Sequence, residues 1–129
     1  MDLTFIRLKE EASKITGEFS FGDGVSAGAV AAALLTWDGK LYTGICMDFF
    51  CGIGFCAEHA AVAEMLKSRE TKIDSILAIT HEGVILPPCG RCRELLVQLD
   101  DANQTTRVYV SDSKVVTLSE LLPCHWLKV

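Results

Sequence analysis

Three cysteines and one glutamate in this 129-residue chain have the types and spacing to do chemistry together. Cys89-Gly90-Arg91-Cys92 places two thiols at i and i+3, on one face of a helix. At a helix start the macrodipole favours thiolates. Redox motifs share this C-x-x-C spacing, so by itself it has two readings. Cys56-Ala57-Glu58 adds a third thiol at a second expected helix start. Three thiolates can hold Zn²⁺ and leave one tetrahedral corner for water, the pattern of a catalytic site. Glu58, two residues beyond its ligand, can then take a proton from activated water and return it to a leaving amine. A closed structural site, with His59 or Cys51 as fourth ligand, is the alternative, and it leaves Glu58 without a task. Taken alone, Glu58 could simply set a negative charge at a helix N-terminus.

These side chains need rigid elements behind them. Residues 56–68 read as a helix, and Ala57, Ala60, Ala61 and Ala63 would let it lie close to a sheet. Pro87-Pro88 stops the chain before a second helix over residues 89–99. Residues 29–37 and 41–47 read as a hairpin about the turn Asp38-Gly39. Residues 73–81 form an apolar run suited to a buried strand, residues 107–111 a short strand, and residues 117–122 a last helical turn ended by Pro123. At the N-terminus, Leu3, Phe5, Ile6, Leu8, Ala12 and Ile15 have the spacing of an amphipathic helix, with Gly17 as its stop. This order predicts one α/β layered domain spanning residues 1–129.

Half of the residues are hydrophobic and 22% are charged, a globular composition. The net charge of −5 argues against a nucleic-acid partner bound through phosphates and suits a small neutral or cationic ligand. The longest apolar run, residues 27–35, is too short for a bilayer, so no membrane partner is expected. Residues 1–17 lack the uninterrupted apolar core of an export signal, and the expectation is a cytoplasmic protein. In that compartment the six cysteines read as metal ligands or buried thiols rather than disulfides, with Cys46, Cys51 and Cys124 as small buried hydrophobes. His81 and His125 read as strand-end and surface residues.

Zinc deaminases combine a ligand-x-Glu motif with a later Pro-Cys-x-x-Cys. Cys56-Ala57-Glu58 and Pro88-Cys89-Gly90-Arg91-Cys92-Arg93-Glu94-Leu95 together resemble the cytidine deaminase family, including its blasticidin-S deaminase branch. The hairpin stretch 33–44 and the closing Glu120-Leu121-Leu122-Pro123 resemble it too. The resemblance implies a three-layer α/β/α domain with a five-stranded mixed sheet, in which two helix starts share one Zn²⁺. It implies attack by zinc-activated water on C4 of a cytosine ring and release of ammonia. Glu58 would protonate ring N3 and then the amine, while the Ala57 backbone bonds the ring carbonyl. The family's ribose-binding Asn-x-Glu aligns with Cys46-Met47-Asp48, and its pocket phenylalanine falls near Gly28. Where many three-cysteine members carry an arginine after the catalytic glutamate, this chain has His59; His59 or Arg91 would then offset the thiolate charge. The family's terminal aromatic, which reaches a neighbouring subunit's substrate, aligns with Trp126, implying a homotetramer. The expected activity is hydrolytic deamination of an aminopyrimidine nucleoside, cytidine or deoxycytidine by default. A cytosine nucleoside antibiotic such as blasticidin S is the rival substrate. A non-catalytic zinc-stabilised binding domain is the rival of another class.

Overall fold

The computed structural model describes residues 2–127. Its centre is the long strand β2 (Val25–Thr36), which pairs antiparallel with β3 (Leu41–Asp48) on one edge and with β4 (Ile73–Thr80) on the other. β4 continues in parallel to β6 (Arg107–Ser111), which pairs antiparallel with β7 (Lys114–Thr117). These five strands form the expected mixed sheet, in the order β3-β2-β4-β6-β7. Two short strands are added: β1 (Phe19–Gly22) on β2 and β5 (Ile85–Leu86) on β4, making seven rather than five. β1 alternates Phe19 and Phe21 with Ser20 and Gly22, but all four residues are exposed, and β5 is only two residues long.

Period-two alternation sorts the sheet's side chains into two cores. Ala32, Leu34, Ile76 and Ala78 face α2 (Ala57–Lys67) and α3 (Gly90–Leu99). Ala31, Ala33, Leu77 and Ile79 face α1 (Leu3–Ser13) through its buried Leu8 and Ala12. Helices therefore cover both faces, as the α/β/α expectation requires. α1 is shorter than the spacing predicts, ending at Ser13, well before Gly17. Asp2 caps it by accepting from Phe5 N–H at 3.1 Å. The last helix, α4 (Leu118–Leu121), is one turn long.

α2 lies close over β3 because the residues between them are small. A Cβ on Gly44 would stand 2.5 Å from Ala60 Cβ and 2.4 Å from the Ala61 nitrogen. Ala57 and Ala61 are buried, whereas Ala63 points outward and takes no part in the approach. Three further expectations fail. Cys51 and Cys124 are exposed rather than buried. His125 is buried, at 5% exposure, and neither ring nitrogen finds a partner among the described residues.

Candidate metal centre

The two helix starts meet over the sheet. Cys56 is the N-cap of α2, Cys89 is the N-cap of α3, and Cys92 lies in the first turn of α3. Cys56 Sγ is 3.4 Å from Cys89 Sγ, and Cys89 Sγ is 3.5 Å from Cys92 Sγ. All three sulfurs lie within 4.8 Å of one another. Tetrahedral coordination at about 2.3 Å per Zn–S bond sets sulfurs about 3.8 Å apart, so this donor set fits Zn²⁺. Burial holds the Cys56 and Cys92 thiols above the ordinary thiol range. Burial also acts on Cys89, but the backbone N–H of Cys92, the neighbouring thiols and the Arg91 N–H outweigh it and bring Cys89 down. A dication is what lets three such thiolates coexist.

Local structure holds each ligand in place. Met47 and Phe55 exchange two backbone hydrogen bonds of 3.0 Å, closing the loop that delivers the chain to Cys56. Gly54 allows this closure, because a Cβ there would collide with the Met47 carbonyl. On the other side, Arg93 donates Nε–H to Pro88 O at 2.8 Å and Nη1–H to Leu121 O at 3.1 Å. It thus ties the segment before Cys89 to α4. Its C-x-x-C-R setting did not reveal this, since the acceptors are backbone carbonyls that no motif displays.

Glu58, in the first turn of α2, is only 6% exposed, and burial raises its carboxyl above the usual range. It lines a cleft of about 610 Å³ together with Cys46, Asp48, Cys56, Ala57, Cys89 and Arg91. Cys92 sits beneath, fully buried. His59 lies outside the cleft lining. Its Nδ1 is 3.5 Å from Cys92 Sγ, and its ring stacks on Phe55 with centroids 6.2 Å apart. Gly28 is not a lining residue: it takes φ +86° within an irregular stretch of β2, packed against the Gly17 carbonyl. Within that irregular stretch Val30 N–H donates to Cys46 Sγ at 3.3 Å. Trp126 is 67% exposed and does not line the cleft.

Comparison with known proteins agrees with this geometry. The family model of the cytidine and deoxycytidylate deaminase zinc-binding region matches residues 8–111. A cytidine deaminase of Halalkalibacterium halodurans is 32% identical over 99 residues, covering 73% of this chain and 74% of that protein. One from Mycobacterium tuberculosis is 34% identical over 71 residues, 54% of this chain and 53% of that protein. The crystal structure of the cytidine deaminase from Mycobacterium tuberculosis matches with a TM-score of 0.80 at 25% identity, covering 97% of this chain and 98% of that one. The layered sheet and the three-thiol cluster define a zinc-dependent deaminase. The chain belongs to the cytidine and deoxycytidylate deaminase family.

Proposed function

We propose that the protein deaminates an aminopyrimidine nucleoside hydrolytically, converting cytidine or deoxycytidine to the uridine counterpart and releasing ammonia. The observation that carries this reading is a buried carboxylate, Glu58, in the same cleft as two of three clustered thiols. Cys56, Cys89 and Cys92 hold Zn²⁺, which when bound makes water a strong nucleophile near neutral pH. Glu58 holds the proton that water gives up, passes it to ring N3, and then moves a proton to the departing amine. Its burial suits that task, because a carboxyl raised toward neutrality both accepts and donates. The Ala57 N–H, in the first turn of α2 with no acceptor inside the helix, bonds the ring carbonyl. Cys46 and Asp48 border the sugar, His59 and Arg91 temper the thiolate charge, and Trp126 reaches the cleft of a neighbouring copy. A single domain working as a cytoplasmic homotetramer completes the reading. No helix among the described residues is long and apolar enough to cross a membrane.

The test is Glu58→Gln, assayed by ammonia release over cytidine, deoxycytidine, cytosine and blasticidin S. The variant is expected to keep its zinc and fold while turnover falls by about 10²–10⁴-fold or more. A zinc-loaded wild type as inert as the variant across that panel would favour a non-catalytic binding domain.

A further inference from the structure

The C-x-x-C segment is also built as a dithiol, a property that deamination does not use. Cys89 is the N-cap of α3 and Cys92 lies in its first turn, on one helix face, with sulfurs 3.5 Å apart. Their access to solvent differs. Cys89 is exposed and lines the cleft, whereas Cys92 is fully buried beneath it and does not. A solute entering the cleft therefore meets Cys89 and not Cys92. An accessible sulfur touching a buried one is the arrangement in which the first is oxidised and the second resolves it.

Cys56 Sγ lies as close to Cys89 Sγ, at 3.4 Å, so distance does not choose the resolving partner. Anchoring does. Cys56 starts α2 and is held by the paired backbone bonds of Met47 and Phe55. Cys89 starts α3, where Arg93 fixes the carbonyls on both sides of it: Pro88 O through Nε at 2.8 Å and Cys89 O through its backbone N–H at 3.0 Å. A Cys56–Cys89 bond would need two separately anchored helix starts to approach each other. A Cys89–Cys92 bond closes within one helical turn, by side-chain rotation that brings the sulfurs to about 2.0 Å.

We infer that Cys89 and Cys92 form a reversible redox pair through which a hydroperoxide switches the metal centre off. This rests on the zinc-deaminase reading above and adds regulation to it. The Cys89 thiolate attacks one peroxide oxygen, the O–O bond breaks, hydroxide leaves, and Cys89 becomes a sulfenic acid. The Cys92 sulfur then attacks the Cys89 sulfur, the S–O bond breaks, the S–S bond forms, and a second hydroxide leaves. Two protons from solvent convert both hydroxides to water. Two thiolates are thus oxidised to a disulfide while one peroxide is reduced to two waters. Cys56 alone is left to hold zinc, which a catalytic site holds through three protein ligands, so the ion is lost. Exchange with a dithiol restores both sulfurs.

The experiment uses wild type and a Cys51→Ser, Cys124→Ser double variant, which lacks the two exposed thiols outside the cluster. Each is loaded with Zn²⁺, freed of excess metal and treated with hydrogen peroxide. Released zinc is read with a chromophoric chelator, and cross-linked peptides are mapped by mass spectrometry. Both proteins are expected to lose their zinc as a Cys89–Cys92 disulfide forms, and to bind zinc again after dithiothreitol and fresh Zn²⁺. Zinc retained through complete oxidation of the peroxide-sensitive thiols overturns the proposal. So does zinc lost without a disulfide, with a Cys56–Cys89 cross-link instead, or in a form that dithiothreitol does not restore. If neither protein takes up zinc before oxidation, the metal-centre reading fails instead. Peptide mapping of the same oxidised chains then decides the redox pair, with any partner for Cys89 other than Cys92 counting against it.

Discussion

Three thiolates around one dication leave the centre with a net charge of −1, which weakens the pull on its water. The residues proposed to offset this charge, His59 and Arg91, differ in what they can give. His59 Nδ1 points at Cys92 Sγ from 3.5 Å, and the stack on Phe55 fixes the ring. Burial, and then the nearby Arg91 charge, lowers the His59 imidazole below its ordinary range. Arg91 brings a full charge from the exposed start of α3. His59→Ala is therefore expected to weaken zinc retention by about 10–100-fold in chelator competition. Arg91→Ala is expected to slow turnover while zinc stays bound. Wild-type zinc affinity in the first variant, with wild-type turnover in the second, would leave neither residue a role at the metal. Cys89 and Cys92 were legible as a pair because i and i+3 share a helix face, whereas Cys56 and Glu58 joined them through the resemblance of the combined motif, since only the fold brings the starts of α2 and α3 together. The engagement of Cys46 was not legible, because it depends on Val30, which is 16 residues away and reaches Cys46 from within the irregular stretch between Ala27 and Ala31.

Each element is placed by a contact that can be broken selectively. α2 carries both Cys56 and Glu58, and Gly44 sets its distance from β3. In Gly44→Ala the added methyl meets backbone as well as Ala60, so the helix must lift. A loss of about 1–3 kcal/mol is expected on urea unfolding, with a fall in turnover because the shifted helix carries the site. Unchanged stability would mean that the layers have slack. α1 is held differently, by Tyr109 O–H donating to Asp2 Oδ2 at 2.7 Å. Asp2 is lowered, first by this bond and then by the Phe5 N–H. Tyr109 is raised well above the usual phenol range, first by burial and then by Asp2. The signs follow from linkage. Asp2 contributes in full above its unfolded value of about 3.9, and the contribution fades as pH falls through the lower folded value. Tyr109 contributes in full below its unfolded value of about 10. Above that the unfolded chain ionises first, so stability declines as pH rises. Tyr109→Phe is expected to cost about 1 kcal/mol near pH 7 and to flatten the decline above pH 10, followed by urea melts across that range. An unaltered alkaline slope would place its origin elsewhere.

At the scale of the whole molecule, the chain's apolar pattern announced the layers and its polar networks stayed hidden. The apolar runs through residues 29–37 and 73–81 made β2 and β4 readable, because each face is completed by its own core. β1, β5 and β7 went unread: they are short, and pairing rather than pattern defines them. Asn103 went unread for another reason. It is fully buried, accepts from Ile73 N–H at 2.8 Å, and donates to Thr71 O and Leu96 O at 2.9 and 3.0 Å, all partners that only the fold assembles. This division bears on what zinc does for stability. The two cores and the Asn103 network lie on the sheet and do not pass through the sulfurs, so the chain has a framework independent of the metal. Cys92 is buried but belongs to neither core, and a bound metal would tie the start of α2 to that of α3. Zinc is thus expected to add stability by mass action to a domain already folded, unlike a zinc finger, which is unfolded without its metal. At a thousand-fold excess over the dissociation constant the gain is about 4 kcal/mol, or roughly 10–20 °C in Tm for a domain of this size. Chelation should lower Tm by that order while far-UV circular dichroism at 25 °C stays native. Adding Zn²⁺ back should restore Tm in wild type and in Glu58→Gln, and should do so far less in Cys89→Ser. Loss of the far-UV signal on chelation would show that the cores do not stand without the metal. A Tm indifferent to zinc in every variant would mean the three sulfurs hold nothing.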